Sequence, residues 1–396
     1  MENYIVRIYR RGRKRCEEFL GTIENTETEE KRAFRSGEDF IRSLDVPRVR
    51  PISPRSRLRL AFRRPIFAYA AGALAVVCAG LFLLFQPAES SLSSWELEPG
   101  ARLEGRWPSS PCVIYAGKDK LRMYYNDSYG SDWAHYYPII IKSATSEDGL
   151  MWSIEPGVRL GKDVPGFENW CSGPTIIIVP DKAMYRMFYS SEDNRSIMSA
   201  VSVDGLSWTP EGVKIRPDDS NSVRVFTGSV IAVSDDTYRM YYSGYDGSHY
   251  KILSAFSGDE GVTWALDSGV RIDKGESGAL DDAGCNSPIV VRLESGIFYL
   301  FYSGWGGTPR TNRILSAVSK DGLAWEKEAG ARLSSEDVPG GPNAFPYGIS
   351  TGGILHLSRD RFRMYITGDR GTFAPGYFSD NRYVIFSAVG KLRAAN

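Results

Sequence analysis

Acidic residues occur in several loops of this 396-residue chain, where pairs of carboxylates could carry out acid–base chemistry. Glu168 and Asp282 are the strongest candidates, because each precedes a short apolar segment that begins beside a cysteine, Cys171 or Cys285. Two carboxylates held in different environments can serve as a general acid and a general base. We therefore predict Glu168 and Asp282 as a catalytic pair. The alternative is that they are ordinary solvated acids of surface loops.

Other side chains near these acids could hold a ligand without changing it. Small polar residues begin the apolar segments, aromatic residues lie close by, and more aspartates lie in neighbouring loops. The predicted ligand-binding residues are Ser110, Ser172, Thr227, Asn286, Ser287, Trp170, Trp305, Tyr347, Asp127, Asp246 and Asp369. Aromatic rings and hydroxyl groups of this kind suit a carbohydrate. No Cys-x-x-Cys motif occurs and only three histidines are present, so no metal or other cofactor is predicted.

An internal repeat positions these residues. A phrase similar to YRMYYSG occurs five times, at intervals of 53 to 64 residues: Leu121–Asn126, Tyr185–Ser190, Tyr238–Gly244, Phe298–Gly304 and Phe362–Gly368. An apolar segment precedes each copy and a segment ending in Ser-Ala follows it. The first four copies continue into an acidic, Gly-containing turn and a phrase of the form WxxExGxRL. Four strands in a unit of this length are typical of a β-propeller blade.

The phrase WELEPGARL at Trp95–Leu103 has no repeat before it, and the fifth repeat has no such phrase after it. We therefore predict an all-β protein with five four-stranded blades, in which residues 95–103 supply the outer strand of the last blade. Closing the ring in this way leaves no open sheet edge at the join. The predicted propeller covers residues 95–390.

Residues 95–390 resemble the five-bladed propellers of the arabinanase–levansucrase–invertase superfamily, which includes glycoside hydrolase family 43. The resemblance rests on the repeated YRMYYSG and SxDGxxW phrases and on the x-Pro-x-Ile strand starts. It implies a carbohydrate ligand, and in the hydrolases two carboxylates at the inner-strand starts flank a glycosidic bond. Here the corresponding positions hold no Asp or Glu, and Ser172 stands where an EGP-like motif would place glutamate. The resemblance therefore favours sugar binding without the family's hydrolytic mechanism.

The first 94 residues have a different character. Residues 1–44 are predicted to form a small cytoplasmic ββα or βββα module, and residues 45–64 a linker rich in Pro and Arg. Residues 65–86 contain a long uncharged run that as a helix would span about 30 Å, enough to cross a bilayer. Arginines precede this run and acids follow it, which predicts a cytoplasmic N-terminus. Residues 87–94 then form a tether to an extracytoplasmic propeller. A buried core helix is the alternative.

Charge follows the same division. Residues 1–64 hold 17 Lys and Arg against 10 Asp and Glu, although the whole chain has zero net charge. The basic patch Arg10–Arg15 is interpreted as a solvated hairpin turn, so no nucleic-acid partner is expected. His356 is expected in the propeller core. Three functions stay open: a carbohydrate-binding propeller, a glycoside hydrolase-like enzyme with displaced acids, and a protein-interaction or signalling ecto-domain with an unknown cytoplasmic partner.

Overall fold

The structure is a computed structural model that describes residues 4–11, 19–25, 31–34, 95–105, 107–128, 138–179, 183–191, 195–234, 236–370 and 383–392. The chain divides into two compact units, Met1–Leu81 and Phe82–Asn396. In the first unit, β1 (Tyr4–Arg11), β2 (Phe19–Asn25) and β3 (Lys31–Phe34) form an antiparallel sheet in the order β1-β2-β3.

Several N-terminal predictions fall outside the described residues: the helix of the 1–44 module, the linker 45–64, the anchor 65–86 and the tether 87–94. Within the ranges that the structure describes, no helix is both long enough and apolar enough to span a membrane.

The second unit contains five sheets, and each sheet is one blade of a ring. Blade 1 contains β6 (Ser109–Tyr115), β7 (Leu121–Ser128), β8 (Ile139–Ser146) and β9 (Ser153–Ile154); blade 2 contains β10 (Cys171–Val179), β11 (Met184–Ser191), β12 (Ser196–Ser202) and β13 (Thr209–Ile215). Blade 3 contains β14 (Arg224–Ser234), β15 (Thr237–Tyr245), β16 (Tyr250–Ser257) and β17 (Ala265–Leu266); blade 4 contains β18 (Gly284–Arg292), β19 (Phe298–Gly306), β20 (Thr311–Ser319) and β21 (Glu326–Lys327). Two short helical segments, Asp218–Ser220 and Gly341–Ala344, lie in loops.

Blade 5 is closed by the N-terminal segment, as predicted. It contains β22 (Ile349–Ser358), β23 (Arg361–Asp369) and β24 (Tyr383–Lys391), and its outer positions are filled by β4 (Glu96–Leu97) and β5 (Leu103–Gly105). In the register, Leu97 lies opposite Ala388 and Leu103 lies opposite Ile385. The predicted five-bladed, all-β propeller is therefore confirmed.

The core lies between neighbouring blades. The central residue of each YRMYYSG-like phrase is fully buried: Met123, Met187, Met240, Leu300 and Met364 are all 0% exposed. The second strands therefore pack their apolar and aromatic side chains against neighbouring sheets. Residues of these types are common in β-strands because they suit a pleated, half-buried surface. One core prediction is wrong: His356 is exposed at the end of β22, where its ring stacks on Phe362 at a centroid distance of 4.8 Å.

We call the end of the ring that carries the SxDGxxW-type turns the turn face. The tryptophan that begins each WxxExGxRL-like phrase packs edge-on against an aromatic ring of the preceding blade. The centroid distances are 5.4 to 5.9 Å for Trp152 on Tyr365, Trp208 on Tyr124, Trp264 on Phe188, Trp325 on Tyr241 and Trp95 on Phe301. Such edge-to-face pairs add stability beyond the apolar area that they bury. The tryptophans therefore join neighbouring blades.

Arginine side chains make a second set of joints at the turn face. In four blades the arginine of the second strand pairs with an acid of its own outer strand: Arg122 with Glu155, Arg186 with Glu211, Arg239 with Asp267 and Arg363 with Glu98, at 2.7 to 3.0 Å. Each of these arginines also donates to a turn carbonyl of the next blade. Blade 4 departs from this rule, because Tyr299 replaces the arginine and blade 5 has no turn for it to meet.

Candidate functional site

The opposite end of the ring, which we call the mouth, is where the five inner strands begin. Each inner strand has an irregularity in its register within the first residues. At this point its backbone N–H donates to a polar side chain on the second strand of the preceding blade. The bonds join Ser110 to Thr367, Gly173 to Asn126, Thr227 to Ser190, Ser287 to Ser243 and Thr351 to Ser303, at 2.8 to 3.2 Å. The mouth is thus bordered by five equivalent joints between blades.

These joints decide which of the predicted mouth residues can meet a ligand. The Thr227 hydroxyl donates to the carbonyl of Gly173 and lies 3.1 Å from the Ser190 hydroxyl, so it is occupied within the ring. Gly173 has φ +61°, and a Cβ there would lie 2.7 Å from the Thr227 hydroxyl, which is why glycine is required. Thr227 therefore holds blades 2 and 3 together, and its predicted ligand contact stays untested.

The other small polar residues of the mouth are partly accessible. Ser110 and Ser287 have left-handed backbones with φ of 48° and 52°, and a proline follows each of them. The Ser287 hydroxyl donates to Asn286 Oδ1 at 3.1 Å. Ser110, Ser172, Asn286 and Ser287 are all half-buried. Their hydroxyl and amide groups are suitable for hydrogen bonds to a ligand at the mouth.

Glu168 is held by a tyrosine between blades 1 and 2. The Tyr189 hydroxyl donates to Glu168 Oε2 at 3.0 Å, and Cys171 Sγ lies 3.9 Å from the same oxygen. Burial, together with the nearby Cys171 and Glu168, raises the pKa of Tyr189 far above its usual value, so the phenol keeps its proton. Glu168 itself is half-buried.

The structural counterpart of Glu168 is Asp281, and the prediction of Glu168 and Asp282 as catalytic residues stays a prediction. The Tyr302 hydroxyl donates to Asp281 Oδ2 at 3.0 Å, and Tyr302 occupies the same place in its phrase as Tyr189. Lys327 Nζ also donates to this oxygen at 2.7 Å, and Asp281 is only 4% exposed. Glu168 and Asp281 thus each connect a loop at the mouth to the second strand of the following blade through a tyrosine.

Asp282 lies beside this pair but has different surroundings. Its Oδ2 accepts the Gly278 N–H at 2.9 Å, and its Oδ1 lies 3.9 Å from Arg310 Nη2. The Oδ1 atom is buried and has no hydrogen-bond partner in the structure. Among the predicted acids described above, Asp282 therefore has the carboxylate oxygen that is least satisfied.

The acids of the loops between second and third strands mainly hold their own loops. Asp127 pairs with Lys142 at 2.9 Å and accepts the Ser128 N–H. Asp246 accepts the N–H groups of Ser248 and His249, and these bonds, with Lys251, hold its pKa well below the usual range. Asp369 is half-buried, and its N–H donates to the Gly348 carbonyl at 3.3 Å.

The predicted aromatic residues lie at the same end of the ring. Trp170 and Trp305 are half-buried, and Tyr347 is 40% exposed. Phe345, their neighbour, is buried against Phe386 at a centroid distance of 5.6 Å. Trp170, Trp305 and Tyr347 therefore keep part of their surface exposed at this end of the ring.

A cavity of about 360 Å³ runs along the axis of the ring. Its wall comes from all five inner strands, including Ile114, Ile176, Val230, Val291 and Ile354, and polar atoms make up more than half of the surface that the wall exposes. In the ranges that the structure describes, no group of three or more His, Cys, Asp or Glu side chains is arranged to hold a metal ion.

The fold is that of a five-bladed β-propeller, and known proteins share parts of it. Residues 166–278 match the family model of the glycosyl hydrolases family 32 N-terminal domain. A segment of 137 residues is 31% identical to an uncharacterized protein of Mycobacterium tuberculosis, and it covers 32% of this chain and 44% of that protein. The chain thus spans less than half the length of this curated relative.

Solved glycoside hydrolase structures share the fold. The propeller is similar to a structure from the GH130 family of mannoside phosphorylases, which contains glycoside hydrolases that target β-1,2 mannosidic linkages in Candida mannan. The TM-score is 0.58 at 15% identity, over 76% of this chain and 94% of that chain. For a glycosyl hydrolase from Bacteroides ovatus the TM-score is 0.56 at 14% identity, over 75% of this chain and 94% of that chain. For the α-L-arabinofuranosidase of Podospora anserina the TM-score is 0.55 at 10% identity, over 78% of this chain and 100% of that chain. These matches confirm the predicted resemblance at the level of the fold.

Proposed function

We propose that the propeller binds a carbohydrate at its mouth and does not hydrolyse it by the two-carboxylate mechanism. The observation that carries this proposal is the set of side chains at the five inner-strand starts, where serine, threonine, asparagine, glycine and phenylalanine stand and no Asp or Glu occurs. Hydrolysis of a glycosidic bond needs an acid and a second carboxylate on opposite sides of that bond.

The nearest acids do not supply this pair. Glu168 accepts a bond from Tyr189, and Asp281 is held by Tyr302 and Lys327. The Asp281 oxygen that accepts the bond from Lys327, at 2.7 Å, is the same one that accepts from Tyr302, so this oxygen is already occupied within the protein. The small polar residues at the inner-strand starts and their aromatic neighbours stay available at the mouth, and these groups suit the binding of a sugar.

The test is a screen of the purified full-length chain against a glycan array and a panel of chromogenic glycosides. Binding without turnover is the expected result, and Trp170→Ala should weaken it. Turnover that disappears in Glu168→Gln would contradict the proposal and establish an enzyme. If neither binding nor turnover is found, the carbohydrate proposal fails, and capture of a protein partner becomes the function to test.

A glycoside hydrolase-like enzyme is the second candidate, because Asp282 favours it. Its Oδ1 has no hydrogen-bond partner in the structure, so this oxygen is not already held by the protein and could bond to the glycosidic oxygen of a substrate. If the chain cleaves a glycoside, Asp282→Asn should reduce kcat by about 10²-fold or more, the usual scale for removing a general acid. Asp127→Asn is a matched control, because Asp127 is paired with Lys142 in its own loop.

We also propose that residues 65–86 anchor the chain in a membrane, with the N-terminus in the cytoplasm and the propeller outside. The support is the uncharged run after Pro65, with arginines before it and acids after it. A reporter that is active only outside the cytoplasm, fused after Asn396, should be active. The same reporter fused at residue 50 is the control and should be inactive. Activity with the reversed pattern, or for neither fusion, would contradict this topology.

A further inference from the structure

The cavity on the axis of the ring lies towards the turn face, apart from the mouth. Pro174, Gly228 and Gly352 form the end of its wall nearer the mouth. Arg292 and His356, near the ends of β18 and β22, form the other end. None of the predicted mouth residues lines it. Its volume of about 360 Å³ falls within the range of small-molecule sites, so a small ligand could occupy it independently of a sugar at the mouth.

Five equivalent side chains surround the end of the channel at the turn face. Each lies opposite the residue two places before the central Met or Leu of the second strand. All five are exposed: Tyr115, Ile178, Ala232, Arg292 and His356. Only blades 4 and 5 place a basic side chain here, so the basic groups lie together on one side of the opening.

Neither basic side chain is paired with an acid. Arg292 donates through Nη1 to the Val233 carbonyl at 2.9 Å. Glu294, an acid close to Arg292 in sequence, meets Arg359 instead, at 3.4 Å. In the part of the chain that the structure describes, no Asp or Glu lines the cavity or forms an ion pair with Arg292 or His356. The other N–H groups of the guanidinium and the imidazole are therefore available to an anion.

Backbone N–H groups add further donors deeper in the cavity. The inner strand of each blade pairs with a neighbouring strand on one side only, so alternate backbone groups point away from its blade. On β18 the Val290 N–H points this way and donates to Ser229 Oγ of blade 3 at 3.1 Å. Val113 and Ile354 occupy the same register position in blades 1 and 5, so their N–H groups point the same way.

The preceding blades offer these two N–H groups no side-chain acceptor. The residue that corresponds to Ser229 is Ile289 in blade 4 and Gly353 in blade 5. A Cβ at Gly353 would lie 2.6 Å from the Pro111 carbonyl oxygen, so two inner strands approach too closely for any side chain there. Backbone N–H groups away from bulk water need an acceptor. Both N–H groups lie on the side of the cavity that carries the basic side chains.

We propose that this half of the channel binds a small dicarboxylate anion. Arg292 and His356 would hold one carboxylate at the opening, and the N–H groups of Val113 and Ile354 would hold the other. The two sets of donors are two residues apart along their strands, or about 7 Å, which suits a short chain with an acceptor group at each end. The site is separate from the mouth, so it does not depend on the proposed carbohydrate function.

Isothermal titration calorimetry of the full-length chain with glutarate tests this site. Saturable binding with a Kd of about 1 mM or below is expected. Glutaramide, which has the same chain without charge, and butyrate, which has one carboxylate, should each bind about tenfold more weakly. No saturable binding of glutarate would overturn the site. Equal affinity for glutaramide or butyrate would overturn its assignment to a dicarboxylate.

The basic end of the site is tested by Arg292→Gln, which should weaken glutarate binding about tenfold or more, the scale of a lost bond between charged groups. Arg359→Gln is the matched control, because Arg359 is 88% exposed in the adjacent hairpin and does not line the cavity. Its effect should stay below about twofold. Equal losses in the two variants would mean that glutarate binds the charged surface, and the cavity site would be overturned.

The deeper end is tested by Ile289→Thr, with Ile289→Val as a control of the same shape. Threonine would offer the Ile354 N–H an acceptor within the protein, as Ser229 does for Val290. Glutarate should therefore bind about threefold or more weakly to Ile289→Thr than to Ile289→Val. Thermal unfolding followed by tryptophan fluorescence shows that both variants are folded at the assay temperature. Equal affinities of the two folded variants would overturn the role of the N–H groups and, with it, the dicarboxylate site.

Discussion

The indole of Trp95 packs edge-on against the ring of Phe301, with centroids 5.4 Å apart and planes at 90°. This contact joins the first residue of the propeller to a strand of blade 4, more than 200 residues later in the chain. It is equivalent to the four other tryptophan joints, but the chain reaches it from the N-terminus and not through a turn. At this join no turn connects the outer strand to its blade, so the ring is held by side-chain contacts and by the pairing of β4 and β5 with β24.

Loss of this contact should destabilise the propeller. Trp95→Ala is expected to lower the free energy of unfolding by about 3–5 kcal/mol, the usual cost of truncating a buried tryptophan, since Trp95 is only 8% exposed. All nine tryptophans lie at position 95 or later, so urea unfolding followed by tryptophan fluorescence reports the propeller in the full-length chain. Deletion of residues 95–103 should be more severe and prevent cooperative unfolding.

Met151→Ala is the control for Trp95→Ala, because Met151 also lies next to a turn-face tryptophan but is 77% exposed. Its effect should stay within about 0.5 kcal/mol, as for ordinary surface substitutions. Equal losses of unfolding free energy in Trp95→Ala and Met151→Ala would show that the Trp95 contact stabilises the propeller no more than an exposed side chain does.

Substitution of the outer-strand acids should change the free energy of unfolding by different amounts in different blades. Glu98 makes two bonds to the Arg363 guanidinium, at 2.7 and 2.8 Å, and accepts a bond from Ser387. Glu98→Gln should therefore destabilise the protein by about 2 kcal/mol, less than a fully buried pair because Glu98 is 17% exposed. Urea unfolding measures this difference.

Glu328 provides the matched comparison. It occupies the same place in blade 4, but Tyr299 stands where the arginine would be, and Glu328 Oε1 is buried without a partner. Glu328 Oε2 accepts a bond from Ser316 at 2.7 Å, which a glutamine oxygen can also accept, so Glu328→Gln should cost less than about 0.5 kcal/mol because no arginine bond is lost. A loss as large as that of Glu98→Gln would contradict this explanation of the blade 4 exception.

The architecture could be predicted from the sequence because the repeated phrases and the one unmatched phrase both indicate a five-bladed ring. The five YRMYYSG-like phrases define the second strands, and the unmatched phrase at Trp95 requires closure by the N-terminus. The exception at Tyr299 has the same origin, since an arginine there would find no turn in blade 5. Repetition of this kind reveals which positions contact each other even without coordinates.

The site was harder to predict, because the sequence does not show which way a loop side chain points. Asp281 and Asp282 are adjacent, yet only Asp281 reaches Tyr302 and Lys327. One signal was present: Tyr189 and Tyr302 occupy the same place in their phrases, which marks the acids that lie near them.

The two tyrosine-bound acids should affect stability more than ligand binding. Asp281→Asn removes the partner of Lys327 and weakens the bond from Tyr302, so we expect a loss of about 2–3 kcal/mol in the free energy of unfolding. Glu168→Gln should cost about 1 kcal/mol, the scale of one hydrogen bond. Sugar affinity, measured below the unfolding transition, should change less than twofold in both. A large loss of affinity without a loss of stability would instead place these acids in the binding site.

Acid should destabilise the turn face. The N–H groups of Ser207 and Leu206 hold the pKa of Asp204 at about 2, below its usual 3.8. Because the folded-state pKa is the lower one, ionised Asp204 stabilises the fold above about pH 4, and this contribution is lost as the pH falls towards 2. Asp204→Asn should therefore reduce the difference between the urea midpoints at pH 5 and pH 2.5.

Glu294→Gln is the control for this pH effect. The Glu294 carboxylate is 72% exposed and meets only the exposed Arg359, at 3.4 Å. Its substitution should leave the difference between the two midpoints as it is in the unaltered protein. An undiminished difference in Asp204→Asn would show that the turn carboxylate is not a source of acid sensitivity.

The thiols of the propeller should resist modification until the fold opens. Cys112, Cys171 and Cys285 are free, and Cys171 and Cys285 are fully buried. Burial raises the pKa of Cys112 and of Cys285 to about 12, so almost none of either thiol is ionised at pH 8. Iodoacetamide at pH 8, followed by peptide mass spectrometry, should label these three cysteines slowly in the folded chain and rapidly in urea above the unfolding transition.

Trp95→Ala offers a further comparison. If the ring opens at its closing join, the thiols of Trp95→Ala should be labelled faster than those of Met151→Ala. Fast labelling of Cys171 or Cys285 in the folded protein would mean that the joins between blades open readily, and the stability arguments above would then fail together.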